Sequence, residues 1–320
     1  MIVLLSLLGA AALLLLARLS VPDETMPSGT AVIRPPGEVS ALAVQDGIVW
    51  AGGRDGLLAV DRSTLAVSPP PGSPPDLRQV RDLLVDHYGS LWVAHLGGLA
   101  RFSNGVWSEE SQVDRLLEGP AAALWMDRDG ALWIGGEKGV VVMAPGGPRL
   151  LTMADGLATP SVDVIFQDRD GVMWFGSSSA THGGLTSLDA GRWRRFFTQD
   201  GLAHNSVNAI TQDRTGALWF ACGFHDRGGA SRLKDGQWTT FTRRDGLAGE
   251  KVRTIFEDRT GRLWFASEYD GVAIRDGDRW RTLTPAQGLA AWEVKRIVQD
   301  QDGVFWLGTL DGLSRIASID

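Results

Sequence analysis

Seven tryptophans, Trp50, Trp92, Trp133, Trp174, Trp219, Trp264 and Trp306, follow one another at intervals of 42, 41, 41, 45, 45 and 42 residues. Each sits in a copy of the same stretch, whose fullest form is Asp213-Arg214-Thr215-Gly216-Ala217-Leu218-Trp219. A unit of about 40 residues is too small to bury its own apolar face, so the units must stack on one another as in a propeller or a solenoid.

The stretch reads as a tight turn between two strands. Alternating apolar runs precede it (Val207, Ala209, Ile210; Val252, Thr254, Ile255; Val294, Arg296, Ile297), and an aromatic or branched run follows. The turn Gly recurs in all seven copies, as Gly47, Gly89, Gly130, Gly171, Gly216, Gly261 and Gly303. Six residues before Trp stands Asp86, Asp127, Asp168, Asp213, Asp258 or Asp300, placed to accept a backbone N–H two residues on. The first copy has Val44 there, so its turn must be built differently.

After each Trp comes an apolar residue and then Gly or Ala, such as Phe220 and Ala221. In a strand this puts Trp and the small residue on one face and the apolar residue on the other, so both faces are buried. Burial of one Trp contributes up to about 4–6 kcal/mol before entropy. Turn Asp and Arg side chains, taken as exposed, contribute ~0–1 kcal/mol. The expectation is a ring held by packing between sheets.

Residues 2–17 form an unbroken apolar run, read as a secretion signal or short N-terminal membrane anchor within residues 1–20, preceding the propeller as an apolar helix. Ala17, Arg18 and Leu19 offer no small-x-small cleavage pattern, which favours an anchor over a cleaved signal. A polar tether over 21–30 follows, and the propeller is assigned to 31–320. The last copy stops after about three strands, whereas Ala31 to Arg34 is a short strand at the other end. That segment is expected to complete the last blade and hide both edges. The fold class is therefore all-β, a single seven-bladed propeller of four-stranded antiparallel blades.

Two more landmarks recur. An outer-strand Trp (Trp107, Trp193, Trp238, Trp280) is followed three residues later by Phe196, Phe241 or Leu283 in the last three copies. The segments starting at Asp155, Asp200, Asp245 and Gln287 run on through Gly-Leu-Ala and read as the crossing from one blade to the next. The first crossing is instead Pro-rich, Ser68 to Pro75. A net charge of −7 without basic blocks argues against nucleic acid as a partner, and a single Cys excludes an intrachain disulfide.

The repeat of apolar strand, Asp-Arg-x-Gly-x-Leu-Trp, small residue and Gly-Leu resembles the two-component regulator propeller repeat over about 31–320. The resemblance implies the extracytoplasmic sensor of hybrid histidine kinases, in which such propellers are followed by a membrane span and a kinase. The chain ends at Asp320, so the expectation is a binding or sensing propeller without kinase activity of its own, facing the periplasm or cell surface. A separate histidine kinase, a small polar ligand or a protein is the expected partner, and the membrane is a partner through residues 2–17.

Chemistry should sit where repeats differ. The second-to-third turns and the crossings share one face, and the fourth and fifth repeats carry longer insertions there, 177–184 and 222–229. That face gathers His95, His182, His204, His225, Asp226, Arg227, Glu268, Tyr269 and Asp270 as candidate ligand-binding residues, together with Glu137 and Lys138. His87 maps to the opposite face. No metal, cofactor or catalytic residue is assigned, because Cys222 has no thiol partner and His225 and Asp226 are adjacent. An alternative is a propeller-based lyase or hydrolase with His182 or His225 as general base. A protein interaction scaffold is the other alternative.

Overall fold

The computed structural model describes residues 29–72, 76–179 and 181–319; the apolar leader and most of the tether lie outside them. Among the described residues no helix is long and apolar enough to cross a membrane. Seven four-stranded antiparallel sheets follow one another along the chain. Blade 1 is β2 (Ala41–Gln45), β3 (Ile48–Gly53), β4 (Gly56–Asp61) and β5 (Val67–Ser68), and the next five blades repeat this simple up-and-down order.

Blade 7 is closed as the sequence predicts. It is built from β26 (Val294–Gln299), β27 (Phe305–Thr309), β28 (Gly312–Ile316) and, as its outermost strand, β1 (Ala31–Ile33). Ala31, Val32 and Ile33 pair with Arg315, Ser314 and Leu313. Ile33 thereby joins Val39, Val49, Trp306 and Leu313 in one core cluster that spans the two ends of the chain.

The blade tryptophans are buried at 0–6% exposure in six blades, and Trp133 is half-buried. Each packs on the neighbouring blade: Trp174 meets Phe220 at 5.6 Å and Trp219 meets Phe265 at 5.4 Å, both edge to face. The small residue two positions on does what the sequence implies. A Cβ at Gly176 would fall within 3.0 Å of Val207 in the next blade, so Gly lets the sheets approach.

The turn aspartates are where the structure departs from expectation. They are buried, not exposed: Asp86, Asp168, Asp213, Asp258 and Asp300 are 2–6% accessible. One oxygen caps the turn, accepting the N–H of Thr215 and Ala217 in the case of Asp213. The other accepts the indole N–H of the Trp six residues later, at 2.7–3.0 Å in six blades. In blade 1 the two-residue turn Asp46-Gly47 replaces it, and Gln45 accepts the Trp50 indole at 3.3 Å. The arginines are not idle surface charges either. The Arg214 guanidinium donates to the Asp258 carbonyl of the next blade at 3.0 Å, and Arg62 of blade 1 reaches Asp300 of blade 7. Turn polarity therefore links blades, and it adds to the packing.

The outer Trp and the Gly-Leu-Ala crossing form a single contact. Gly156, Gly201 and Gly246 have φ of 142°, 125° and 121° and lie flat on Trp193, Trp238 and Trp280 of the next blade's outer strand. Between blades 2 and 3 this crossing is replaced by a helix the sequence reading did not anticipate, α1 (Ser111–Leu117), which buries Val113 and Leu117.

Candidate functional site

All seven inner strands enter the sheet through a bulge. In blades 3, 5, 6 and 7 the register skips Ala122, Asn208, Arg253 and Lys295. In blades 1, 2 and 4, Ser40, Arg81 and Asp163 donate to a carbonyl whose residue already pairs with the next position. A bulged residue is turned out of the ladder. The seven bulged residues all line one cavity of about 560 Å³ at the centre of the ring. Below them the wall carries Trp125, Phe166 and Phe256, the first two rings 5.0 Å apart, together with the polar side chains of Asp82, Thr211 and Arg296.

The bulged side chains are chemically unlike one another although their positions are equivalent. Blades 6, 7 and 2 supply Arg253, Lys295 and Arg81, blade 4 supplies Asp163, blade 5 supplies Asn208, and blades 1 and 3 have only Ser40 and Ala122. On the basic side a chain of ion pairs runs around the mouth. Glu268 pairs with Lys251 and with Arg253, Arg253 with Glu293, and Lys295 with Glu293 and, at 2.7 Å, with Glu38. Arg54 joins Glu38 at 3.1 Å. Arg296 of blade 7 reaches past the small Ser40 and Ala41 of blade 1 to Asp82 of blade 2, at 3.3 Å.

Burial and neighbours set the charge states. Burial pushes the Glu38 and Glu268 carboxyls up, but their lysine and arginine partners outweigh it and hold both below the ordinary range. Asp82 goes the other way: burial raises it in spite of Arg296.

None of the nine candidate residues from the sequence lines the cavity. Glu268 comes nearest in effect, since it pairs with the cavity residue Arg253. His182 is exposed, with its Nδ1 2.8 Å from the Thr181 hydroxyl. His225 and Asp226 form the tip of a hairpin, His225 at φ 52° with its ring edge-on to Phe224. His95 is buried, accepts from the Gly97 N–H, and burial lowers its pKa. His204 accepts from the Ser206 N–H; burial, then the charge of Arg227, lowers its pKa. Asp270 pairs with Arg243 at 2.6 Å, and Tyr269 is 56% exposed. Glu137 is a neighbour of Lys138, which pairs with Glu118.

The fifth insertion is strand rather than loop. β19 (Leu218–Phe224) and β20 (Arg227–Lys234) pair through Phe224 and Arg227, and Cys222 is buried within β19. Among the described residues no three His, Cys, Asp or Glu side chains gather in a metal-ligating group. The fourth insertion does reach the cavity, through Ser178, whose N–H and hydroxyl donate to Asp163 at 2.7 and 2.9 Å. The mouth therefore opens on the face that carries the second-to-third turns.

A model of the two-component regulator propeller family matches residues 156–179, 201–224 and 246–269. Three of the chain's seven repeats match the two-component regulator propeller repeat. Each matched segment starts on a crossing glycine, Gly156, Gly201 or Gly246, and runs through the bulge, the buried Asp and the Trp to the second-to-third turn. These two-component regulator propeller repeats thus contain the mouth residues Asp163, Asn208 and Arg253. No curated protein matches the chain.

Among solved structures, the extracellular domain of a hybrid two component system from B. thetaiotaomicron aligns with a TM-score of 0.77 at 20% identity. It covers 91% of this chain and 41% of that one, so the chain spans about two-fifths of that relative. A catalytically inactive virginiamycin B lyase from Staphylococcus aureus, solved with quinupristin, aligns at 0.69 and 14% identity over 91% of this chain and 98% of that one. PorZ of Porphyromonas gingivalis, a surface component of the type-IX secretion system, aligns at 0.68 and 13% identity, over 88% and 46%. At these identities the likeness is one of fold.

Proposed function

We propose that this propeller is an extracytoplasmic recognition module that binds a small polar ligand at the mouth of its central cavity and carries no kinase or hydrolytic chemistry of its own. The observation that carries the reading is the bulge ring. Seven equivalent positions, framed by near-identical repeat sequence, hold Ser, Arg, Ala, Asp, Asn, Arg and Lys around a cavity of about 560 Å³. Packing accounts for the repeated residues; it gives no reason for this diversity, whereas recognition of an asymmetric ligand does. The two-component regulator propeller repeats and the similar extracellular domain support a sensing role passed to a partner kinase. Membrane attachment through residues 2–17 belongs to the same proposal.

A second reading, a protein interaction scaffold, has one observation in its favour. Tyr269, Trp292 and Leu310 are 47–56% exposed on the mouth face. Backbone hydrogen bonds from Gly271 to Trp292 and from Leu310 to Glu293 hold them in one patch across blades 6 and 7. Large exposed aromatic side chains of this kind anchor protein interfaces. His182 and His225, the general bases of the lyase or hydrolase alternative, do not line the cavity, so that reading gains no support from it.

A thermal-shift screen of polar metabolites against the full chain and its Arg253→Ala variant tests the proposal. Compounds that stabilise the parent and not the variant are expected. Hits insensitive to Arg253→Ala and to Asn208→Ala would place binding elsewhere.

A further inference from the structure

We infer that the ligand of the cavity mouth is a small zwitterion, an amino acid or short peptide carrying both a free carboxylate and a free ammonium group. The inference rests on the proposal that the mouth is the binding site, and it names the ligand class.

The mouth is polarised across the ring. In the ion-pair chain of blades 6, 7, 1 and 2, the carboxylates Glu38, Asp82, Glu268 and Glu293 answer five cations. Arg81 adds a sixth, half-buried at the cavity wall, and among the described residues its guanidinium has no hydrogen-bond or ion-pair partner. This arc therefore presents donors and a surplus of positive charge.

Blades 4 and 5 present the reverse. Asp163 is held in place by Ser178 and by Ser161, and among the described residues no cation pairs with it. The amide nitrogen of Asn208 donates to the carbonyls of Gly223 and Val252 at 3.2 and 2.8 Å. Two carbonyl partners fix which end of the amide is nitrogen. Its oxygen is thus left as an acceptor with no donor among the described residues, on a residue that lines the cavity. Asp163 and Asn208 thus offer acceptors on this side, beside the hydroxyls of Ser178 and Thr211.

Ala122 and Val164 separate the arcs on one flank; on the other, Asn208 of blade 5 adjoins Arg253 of blade 6 directly. The aromatic floor of Trp125, Phe166 and Phe256 leaves room beneath for an apolar side chain. A monoanion would satisfy the Arg81 arc and leave the Asp163 carboxylate without a counter-charge and the Asn208 oxygen without a donor, which is costly in a partly buried site. A cation alone leaves Arg81 unpaired. A zwitterion satisfies both arcs and adds no net charge.

The test is isothermal titration of the full chain with the free amino acids and a dipeptide set, each hit repeated as its N-acetyl and its C-terminal amide derivative. At least one zwitterion is expected to bind, and each derivative should bind at least about tenfold more weakly, the loss of one charge-assisted contact. Arg81→Gln should erase the preference for the free carboxylate and keep the preference for the free amine; Asp163→Asn should do the opposite. Among the described residues the Arg81 side chain makes no hydrogen bond or ion pair, so its variant breaks no polar contact of the fold, and an unchanged melting temperature is its control. Derivatives that bind as well as the parent, variants that weaken all forms equally, or a panel with no binder would each overturn the zwitterion. If the panel fails while neutral or singly charged compounds still bind in an Arg253-dependent way, only the ligand class is wrong. If no compound of either set binds in that way, the mouth itself is not the site.

Discussion

Asp213 holds the indole of Trp219 at 2.8 Å with one carboxylate oxygen while the other oxygen caps the turn between them. Both oxygens accept, Oδ2 from the indole and Oδ1 from Thr215 and Ala217, so neither can be replaced by an N–H₂ without opposing at least one donor. Asp213→Asn should therefore cost about 1–3 kcal/mol, the range for a buried polar group left unsatisfied, although the side chain keeps its size. Denaturant unfolding of parent and variant checks this. A loss below ~0.5 kcal/mol would mean that the indole contact contributes nothing.

The same carboxylates set the acid limit of the fold. Burial pushes Asp86, Asp213 and Asp258 up, but turn N–H groups, hydroxyls and the indoles outweigh it and hold all three below their ordinary value of 3.8, Asp258 at about 2 with help from Arg262. A carboxyl with a lowered folded pKa contributes stability that is present above the unfolded value and lost as pH falls through the folded one. Unfolding free energy should thus be level above about pH 4 from this source and decline steeply from there toward pH 2. Guanidinium titrations at pH 5, 3.5 and 2.5 measure it; a flat profile would contradict the assignment.

Gly201 and Gly216 separate backbone strain from packing. Both have positive φ, 125° and 85°, but only Gly201 lies against a ring, that of Trp238; nothing stands within 4 Å of a Cβ built at Gly216. Gly201→Ala should lose about 1–3 kcal/mol to overpacking on top of the strain that Gly216→Ala also carries. Melting temperatures of the two variants give the difference, and equal losses would remove the crossing glycine from the account of blade contact.

Cys222 reports whether the fifth insertion is strand or loop. Its thiol is fully buried, and burial pushes its pKa up to about 12. The native protein should resist thiol reagents at pH 8 and react fully once unfolded. Rapid labelling of the folded chain would return Cys222 to an open loop.

How much was legible in the sequence follows from what repeats. The seven Trp and their flanking small residues recur because every blade meets its neighbour in the same way, and the ring and its closure by Ala31–Ile33 follow from them. The depth of Asp213 was missed because Asp-x-x-Gly suits an exposed turn equally well; only the pairing register shows that Trp219 folds back over it. Helix α1 is one short stretch with no second copy to reveal it. The mouth escaped notice for a different reason. Loop length and histidine content mark the insertions, whereas Arg81, Asp163, Asn208, Arg253 and Lys295 each follow a Val at a fixed distance before Trp, inside the regular part of the repeat. That a bulge turns this position toward the axis is a property of backbone geometry, and the signal available in sequence was a single variable site beside a constant one.

Hydrogen–deuterium exchange with the tightest binder from the polar-compound screen tests the central claim most directly. The account predicts protection at the starts of the inner strands, around residues 80–83, 162–165, 207–210, 252–255 and 294–297. Protection confined to the turn tips at 181–183 and 224–227, with the inner strands unchanged, would contradict it.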